Sequence, residues 1–412
     1  MKRDLSSRLS ALRSTGEFKT GRQMADALEK ENGIDLFPGE GREEETDFGR
    51  CYLRELRFPL GHQHGSNTLS GILTCCGPEL SLTARDDRLS NFDPRNSIFL
   101  DIETTGLAGG TGTWAFLIGI GWIEKNYFLL RQYFLRRPAE EKALLNHFVA
   151  ATSGFLTIIT FNGKQFDLPL IKTRQMLAGF EPIEPRQHLD LLQCARTLWK
   201  KRLASRSLHS LEEVLLNLKR DDDIPGAEIP AVYFNYLRRG ETELLKKVFH
   251  HNVLDILSMV TLLEKVYRTS AGQLVKHPAE LLALGSLCLE TGRFSEGINY
   301  LREASNSAPN PLAEEAALKL ALHFKRQGNW EEAIKIWEES AGTNPVNSPA
   351  IVELAKYYEH QCGEYDKALE LTEKALARAR SNRNNLPACS SELNPEALKH
   401  RWNRLNRRQL SD

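Results

Sequence analysis

The 412-residue sequence lacks three features that often assign a protein at once: a disulfide pattern, a long hydrophobic run and an excess of one charge. Its seven cysteines are an odd set without Cys-x-x-Cys spacing, which argues against a disulfide framework and a cysteine zinc site. The longest apolar stretches, such as Trp114 to Trp122, have the length of strands, and the first residues lack the apolar core of a signal peptide. Lysine and arginine together number 54, and so do aspartate and glutamate. The chain therefore has no net positive charge that would indicate nucleic-acid binding. We expect a cytoplasmic protein without a membrane segment, which would contact nucleic acid only through a local basic groove.

The length predicts two or three domains, and the residue patterns divide the chain accordingly. Residues 1–45 are polar and end in an acidic cluster, which predicts a weakly ordered leader. Residues 46–94 alternate enough to suggest a small β element. In residues 95–268, strand patterns come first and helical and strand patterns then alternate. This order predicts an α/β domain in which helices flank a mixed sheet.

Residues 276–380 have a different, helical pattern. Pairs of helical stretches are separated by turns that contain Gly292, Gly328 and Gly363, about 35 residues apart, as in tetratricopeptide repeats. We therefore expect an all-α repeat domain, which would either bind a protein partner or brace the α/β domain. Residues 381–412 form a basic tail, which would either contact phosphates or be a solvated, partly helical end.

Two carboxylates end the first strand pattern of the α/β region. Asp101 and Glu103 are two positions apart, so in a strand they project from the same face. Two like charges held side by side are costly unless a cation lies between them, and hard cations such as Mg²⁺ prefer oxygen ligands. Two solvated acids at a strand end are the alternative. The small residues Thr104, Thr105 and Gly106 that follow favour a site that a substrate can approach.

Further polar residues follow in an order that suggests the same site. Asp167 comes after a strand and an Asn-Gly turn, where an acid is either a helix cap or a third metal-facing carboxylate. Asn162 in that turn either contacts substrate or shapes the turn. His251 and Asp255 are four positions apart in a helical pattern, so their side chains share one helix face.

The ordered patterns Asp-x-Glu, Asn-x-x-x-Phe-Asp and His-Asn-x-x-Asp resemble the three motifs of the DEDD (DnaQ-like) exonuclease superfamily, which has a ribonuclease-H-like fold. The segments His188 to Leu192 and Asp222 to Gly226 make the chain similar to the YprB-type ribonuclease-H-like proteins. The resemblance covers residues 95–268, and a following repeat domain is in keeping with that group. It implies a metal-dependent nuclease, most simply a 3′–5′ exonuclease, that acts on DNA or RNA.

By this resemblance, two Mg²⁺ or Mn²⁺ ions would be held by four acids, Asp101, Glu103, Asp167 and Asp255. Either His250 or His251 would be the general base, and the one-face geometry favours His251. Substrate would be contacted by Thr104, Thr105, Gly106, Leu107 and Asn162.

Three alternatives stay open. Asp190 at a predicted helix start is either an acid behind the metal ligands or, as we favour, a helix cap. The basic stretch from Arg196 to Arg206 either binds phosphate or is a solvated helix face. The whole chain could be a catalytically quiet scaffold that binds nucleic acid or a protein partner through its repeats.

Overall fold

The structure is a computed structural model that describes residues 37, 40–106, 111–273, 275–307, 311–343, 349–381 and 394–409. The chain forms two compact units that divide between Ala271 and Gly272. Within the described ranges, none of the helices is both long enough and apolar enough to cross a membrane.

A seven-stranded mixed sheet is the centre of the first unit. The strands of the unit are β1 (Gly41–Thr46), β2 (Gly49–Pro59), β3 (Gln63–His64), β4 (Asn67–Thr68), β5 (Ser97–Thr104), β6 (Ala115–Glu124), β7 (Tyr127–Phe134), β8 (Thr157–Thr160) and β9 (Gln187–Asp190). Strands β3 and β4 form a separate two-stranded ribbon. The sheet order is β1-β2-β7-β6-β5-β8-β9. Neighbours from β1 to β5 pair antiparallel, whereas β5, β8 and β9 are parallel. The predicted α/β class with a mixed sheet is confirmed.

Helices flank this sheet. They are α1 (Gly77–Ala84), α2 (Glu141–Thr152), α3 (Asp167–Ala178), α4 (Leu191–Trp199), α5 (Leu208–Leu211, continued by a π-helical turn Glu212–Leu216), α6 (Ile229–Arg239) and α7 (Glu243–Ser270). Short 3₁₀ segments lie at Leu69–Thr74, Asp87–Asn91, Pro94–Asn96, Pro138–Glu140 and Gly226–Glu228. The long helix α7 packs against β5 and β6, so residues along α7 face the middle of the sheet.

Glycine permits this close packing of helix on sheet. A Cβ atom on Gly119 of β6 would lie 2.1 Å from Oδ1 of Asn252 on α7, and one on Gly121 would lie 2.9 Å from Ile256. Gly119 pairs across the sheet with Asp101 of β5. The absent side chain therefore lets α7 approach the strand that carries the first predicted acid.

The structure differs from the prediction at the start of the unit. The predicted small β element at 46–94 is not separate, because β2 pairs with β7 from Tyr52–Phe134 to Pro59–Tyr127. Strand β1 begins at Gly41, so the last residues of the predicted leader 1–45 are a sheet edge, while residues 1–36 lie outside the described residues. The physical reason is that β7 would otherwise expose unpaired backbone groups along its edge.

Two other elements were not predicted. Residues 187–190 are the parallel edge strand β9, which ends at Asp190, the predicted helix start. Helix α6 was not predicted at all. A four-residue strand that runs directly into a helix leaves too short an alternation to be separated from the helical pattern.

The second unit is all-α, as expected from its repeats. Its helices are α8 (Pro278–Glu290), α9 (Phe294–Ser305), α10 (Pro311–Arg326), α11 (Trp330–Thr343), α12 (Pro349–Tyr357, continued by a π-helical turn Tyr358–Cys362), α13 (Tyr365–Ser381) and α14 (Pro395–Gln409). Gly292, Gly328 and Gly363 have φ angles of 82°, 76° and 69° in the turns within the hairpins. The left-handed backbone explains why glycine recurs at these positions.

The described part of the predicted basic tail 381–412 is mainly the packed helix α14. Leu398 of α14 is buried against α12 and α13, and Arg401 and Arg404 hydrogen-bond to the buried Glu359 at 2.5 and 2.9 Å. These two arginines are paired with a buried acid, although the side chain of Arg404 remains 39% exposed. Residues 382–393 and 410–412 of the tail lie outside the described residues.

Candidate active site

Three of the four predicted acids line one cavity of about 470 Å³ in the first unit. Asp101 and Glu103 lie at the end of β5, where the strand emerges from a fully buried first half into partly covered positions. Asp167 is the first residue of α3, which begins after β8 and a tight turn, and it is buried. Because β5 and β8 are parallel neighbours, the ends of both strands reach the same edge of the sheet. This cavity is called the acid-lined cavity below.

The surroundings of the three carboxylates destabilise their ionised form relative to their protonated form. Burial and the charges of Asp255 and Asp167 raise the pKa of Asp101 well above its ordinary value. Burial and the charges of Asp101, Asp255 and Asp167 do the same to the pKa of Glu103. Burial raises the pKa of Asp167 to about 7, although the backbone N–H of Ile102 donates a hydrogen bond to it. The acids are therefore close enough to repel one another, and a bound cation would relieve that repulsion.

Asp255, the fourth acid, is paired with an arginine that the sequence motifs did not indicate. It lies on α7, and Arg220 donates a hydrogen bond to its Oδ1. The same guanidinium pairs with Glu212, which is fully buried, and with Asp223 at 3.0 Å. Glu212 and Asp223 therefore hold Arg220 in place, and Arg220 shares its single positive charge among these two acids and Asp255.

A second contact of Asp223 orients the favoured histidine. Both carboxylate oxygens of Asp223 lie 2.9 Å from Nδ1 of His251, and Nε2 of His251 lies 3.6 Å from Oδ2 of Asp255. Hydrogen bonds from His251 and Arg220 lower the pKa of Asp223, although burial acts in the opposite direction. An ionised Asp223 favours the tautomer with the proton on Nδ1, which leaves Nε2 as the acceptor on the Asp255 side.

His250 has a different environment. It is exposed, and among the described residues it makes no hydrogen bond or ion pair with the four acids. The structure therefore brings His251, and not His250, to the predicted site. The reason is the helix period, which places positions 251 and 255 on one face and turns position 250 away.

Asn252 connects the helix to the first acid. Its Nδ2 donates to Oδ2 of Asp101 at 2.8 Å, and its Oδ1 accepts from Nε2 of Gln132 at 2.9 Å. Gln132 also donates to the backbone carbonyl of Phe249 at 2.8 Å. Asn252 and Gln132 are fully buried, so this chain of hydrogen bonds fixes the carboxylate of Asp101 from behind.

Only some of the predicted substrate residues lie at the acid-lined cavity. Thr104, Gly106 and Asn162 line the acid-lined cavity. Thr105 instead holds a turn, since its N–H donates to the carbonyl of Trp114 at 3.0 Å and its hydroxyl accepts from the N–H of Trp114 at 2.9 Å. Its backbone donor is therefore not available to a nucleotide, contrary to the prediction. Leu107 lies outside the described residues.

Asp190 is a helix cap, as we favoured. Its Oδ1 accepts from the N–H of Leu192 at 3.1 Å at the start of α4. The same carboxylate accepts from the N–H groups of Asn162 and Lys164 at 2.8 and 3.1 Å. Asp190 thus also holds the turn in which Asn162 takes a left-handed φ of 67°.

The donor chemistry of the four acids fits a divalent cation, but a cage is not assembled. Crowded carboxylate oxygens are what Mg²⁺ and Mn²⁺ prefer, and the raised pKa values of Asp101 and Glu103 indicate that the charge of these two acids is poorly balanced. Over the described ranges, however, no three His, Cys, Asp or Glu side chains are gathered closely enough to hold a metal ion. The ion pair with Arg220 supplies the positive charge at Asp255 instead.

Sequence reasoning missed several of these residues. Asp223 lies in the segment Asp222 to Gly226 that carries the family resemblance, but the sequence assigned it no role. Arg220, Glu212 and Gln132 were not identified at all. A signal existed only for Asp223, an acid beside a proline-glycine pair that the resemblance had marked. The sequence around Arg220 does not distinguish it from other arginines, because two of its three carboxylate partners lie on α5 and α7.

Comparison with known proteins supports the same division of the chain. Residues 98–267 match a family model described as RNase_H superfamily. Residues 282–349 and 318–384 match the tetratricopeptide repeat model. The chain is also similar to "Uncharacterized protein YprB" of Bacillus subtilis (strain 168), with 31% identity over 428 aligned positions that cover 99% of this chain and 100% of the relative. The resemblance inferred from the motifs is confirmed.

Proposed function

Because the chain belongs to the YprB family and carries a ribonuclease H superfamily domain at residues 98–267, we propose that it is a metal-dependent nuclease that hydrolyses phosphodiester bonds from the 3′ end of a nucleic acid. The observation that carries the proposal is the acid-lined cavity, in which Asp101, Glu103 and Asp167 repel one another. A soluble protein gains nothing in stability from such crowding, so a function is the better explanation.

The acids and the histidine have separate roles in this proposal. Asp101, Glu103, Asp167 and Asp255 would hold two Mg²⁺ or Mn²⁺ ions, once Arg220 releases Asp255 and the carboxylates move together. When bound, the ions would lower the pKa of a water molecule and neutralise negative charge on the phosphodiester. His251 accepts the proton of the attacking water at Nε2, while Asp223 keeps the other ring nitrogen protonated.

Two further groups position these residues. Asn252 fixes Asp101 by its 2.8 Å hydrogen bond, so the first carboxylate keeps one orientation. Thr104, Gly106 and Asn162 line the cavity beside the acids and offer small or polar contacts to a terminal nucleotide. Phe166, also in the lining, is 55% exposed, and its ring is available to stack on a base.

One observation favours the alternative of a catalytically quiet scaffold that binds nucleic acid, or a protein partner through its repeats. Asp255 is already paired with Arg220, and the acids of the described residues are not gathered into a metal cage. If Arg220 never released Asp255, the fold would remain but the cleavage chemistry would not.

One experiment separates the two functions. Purified full-length protein is incubated with 5′-labelled single-stranded DNA and RNA in Mn²⁺ or Mg²⁺, and Mn²⁺ binding is measured by calorimetry. We expect products that shorten from the 3′ end with wild type, and a loss of cleavage of about 1,000-fold or more together with weaker Mn²⁺ binding in Asp101→Asn.

The matched control is Asp222→Asn, an exposed acid one position from Asp223 that pairs only with Lys247 among the described residues. It should retain cleavage. Wild type that cleaves neither polymer and binds no Mn²⁺ would establish the scaffold instead, and so would cleavage that Asp101→Asn leaves unchanged.

A further inference from the structure

A second cavity adjoins the acid-lined cavity in the same unit. Its volume is about 450 Å³, and Phe161 and Asn162 line both cavities. These two residues follow β8 directly, in the turn that Asp190 holds. A ligand that extends beyond the acid-lined cavity on this side therefore meets the second cavity next. We call it the arginine-lined cavity, after Arg196 and Arg206.

The two cavities have opposite charge. The lining of the arginine-lined cavity combines Arg196, Arg206, Asn162 and Ser207 with apolar side chains, and none of the described residues in it is acidic. Phosphate is repelled by uncompensated carboxylates and attracted by guanidinium groups, which match its geometry with paired donors. The arginine-lined cavity is thus the side on which a phosphate is stabilised without a metal ion.

The two arginines are not consumed by structural ion pairs. Nη1 of Arg206 donates to the backbone carbonyls of Leu203 and Ala204 at 3.0 and 2.9 Å, which fixes the side chain but leaves its charge unpaired. Its Nε is buried and has no hydrogen-bond partner among the described residues. Arg196 is exposed at the end of α4, and the described part of the chain offers it no hydrogen bond or ion pair. This contrasts with Arg401 and Arg404, which both form ion pairs with Glu359.

We propose that the arginine-lined cavity binds a backbone phosphate of a nucleic-acid strand whose end lies in the acid-lined cavity. The inference rests on the proposed function for the placement of that end, and it assigns the strand a path across Phe161 and Asn162. The phosphate is recognised by charge and by guanidinium geometry, without reading of the base. Arg196 and Arg206 of the basic stretch are therefore part of the substrate site, whereas Lys200 lies outside it.

The test measures binding without hydrolysis. Fluorescein-labelled oligo(dT) and oligo(U) of about twelve nucleotides are titrated with full-length protein in EDTA, at NaCl concentrations between about 50 and 200 mM. We expect Arg196→Gln with Arg206→Gln to raise Kd about tenfold at the lowest salt and to reduce the slope of log K against log salt by about 0.7, the value for one lost phosphate contact.

Matched variants separate the cavity from general basic charge. Lys200→Gln removes an exposed charge of the same basic stretch that does not line the cavity, and it should change Kd by less than about twofold. Arg196→Lys should recover part of the affinity. Arg196→Gln alone, at an exposed position, keeps the test valid if a change at Arg206 disturbs its turn.

The outcomes are distinct. Equal losses in Lys200→Gln and in the arginine variants would overturn the inference, as would wild type that binds neither oligonucleotide. Displacement of oligonucleotide by an equal concentration of inorganic phosphate would identify an ion site and not a strand site. Strong binding that depends on the arginines, without cleavage in Mn²⁺, would support the phosphate site and remove the nuclease function. Cleavage in Mn²⁺, together with arginine variants that bind oligonucleotide like wild type, would support the nuclease function and overturn the phosphate site.

Discussion

Burial acts on carboxylates in both units of this protein, but Glu353 of the repeat unit and the acids of the acid-lined cavity have opposite charges around them. In the repeat unit, the buried Glu353 accepts from Lys325 at 2.7 Å and from Lys356 at 2.5 Å. These hydrogen bonds hold the pKa of Glu353 below its ordinary value, although burial acts to raise it. In the α/β unit, burial and neighbouring acids raise the pKa values of Asp101 and Glu103.

The difference teaches how to separate a structural acid from a functional one. Removing a charge from water costs several kcal/mol, and a structural site recovers that cost with a cation of its own. A functional site leaves the charge for a ligand to balance. Burial alone does not distinguish the two kinds of carboxylate. The sign of the neighbouring charges does.

The largest expected effect concerns the close packing that crowds the acids. Gly119→Val places side-chain atoms where Asn252 and Ile256 lie, so α7 must move away from β6. We expect unfolding free energy to fall by about 3 kcal/mol, the upper end of the cost of overpacking, measured by urea denaturation. Mn²⁺ binding should weaken as well, because Asp255 moves with α7.

The control is Gly154→Ala, at a position where an added Cβ meets no atom within 4 Å. It should leave both quantities unchanged. Unaltered stability in Gly119→Val would mean that α7 is not held by this contact, and the crowding would then need another cause.

The next effect tests the compensated acid. Glu353→Gln removes two charge-assisted hydrogen bonds from the repeat unit, and we expect a loss of about 1–2 kcal/mol in stability. Calorimetry of the full chain should show the change as a lower melting temperature, while cleavage of oligonucleotides stays as in wild type. A rise in melting temperature would show that Glu353 resembles the acids of the α/β unit.

The smallest effect has the opposite sign. Asp101→Asn removes one of the repelling charges but can still accept the hydrogen bond from Asn252. In EDTA we expect the melting temperature to rise by about 2–4 °C, the shift that about 1 kcal/mol produces in a domain of this size. A lower melting temperature would contradict the contrast between the two units, since Asp101 would then stabilise the fold.

The sequence indicated the acids well because each follows a recognisable local pattern. Asp101 and Glu103 end a buried strand, Asp167 begins a helix, and His251 and Asp255 share a helix face. The mixed sheet and the repeats were likewise predicted from alternation and period, and both are confirmed. The sequence did not predict that residues 187–190 form a strand or that helix α6 exists. It also did not predict that β1 and β2 belong to the main sheet.

The failures at the strands have a common cause. A strand depends on a partner that is distant in the sequence: β2 pairs with β7 across a long separation, and the short edge strand β9 pairs with β8. The pairing stabilises them more than their own residues do. The same holds for Arg220, whose role comes from Glu212 and Asp255 on other elements.

By itself, the sequence determined the kinds of residue available, their order, and the elements that carry them. These are local matters, governed by a period of two in strands and of 3.6 in helices. Only the tertiary structure decided which charges meet. It crowded Asp101, Glu103 and Asp167 around one cavity, placed Arg196 and Arg206 around the next, and set Arg220 against Asp255. Charge interactions act through space over a few ångströms, so their balance follows from the fold and not from the order of residues.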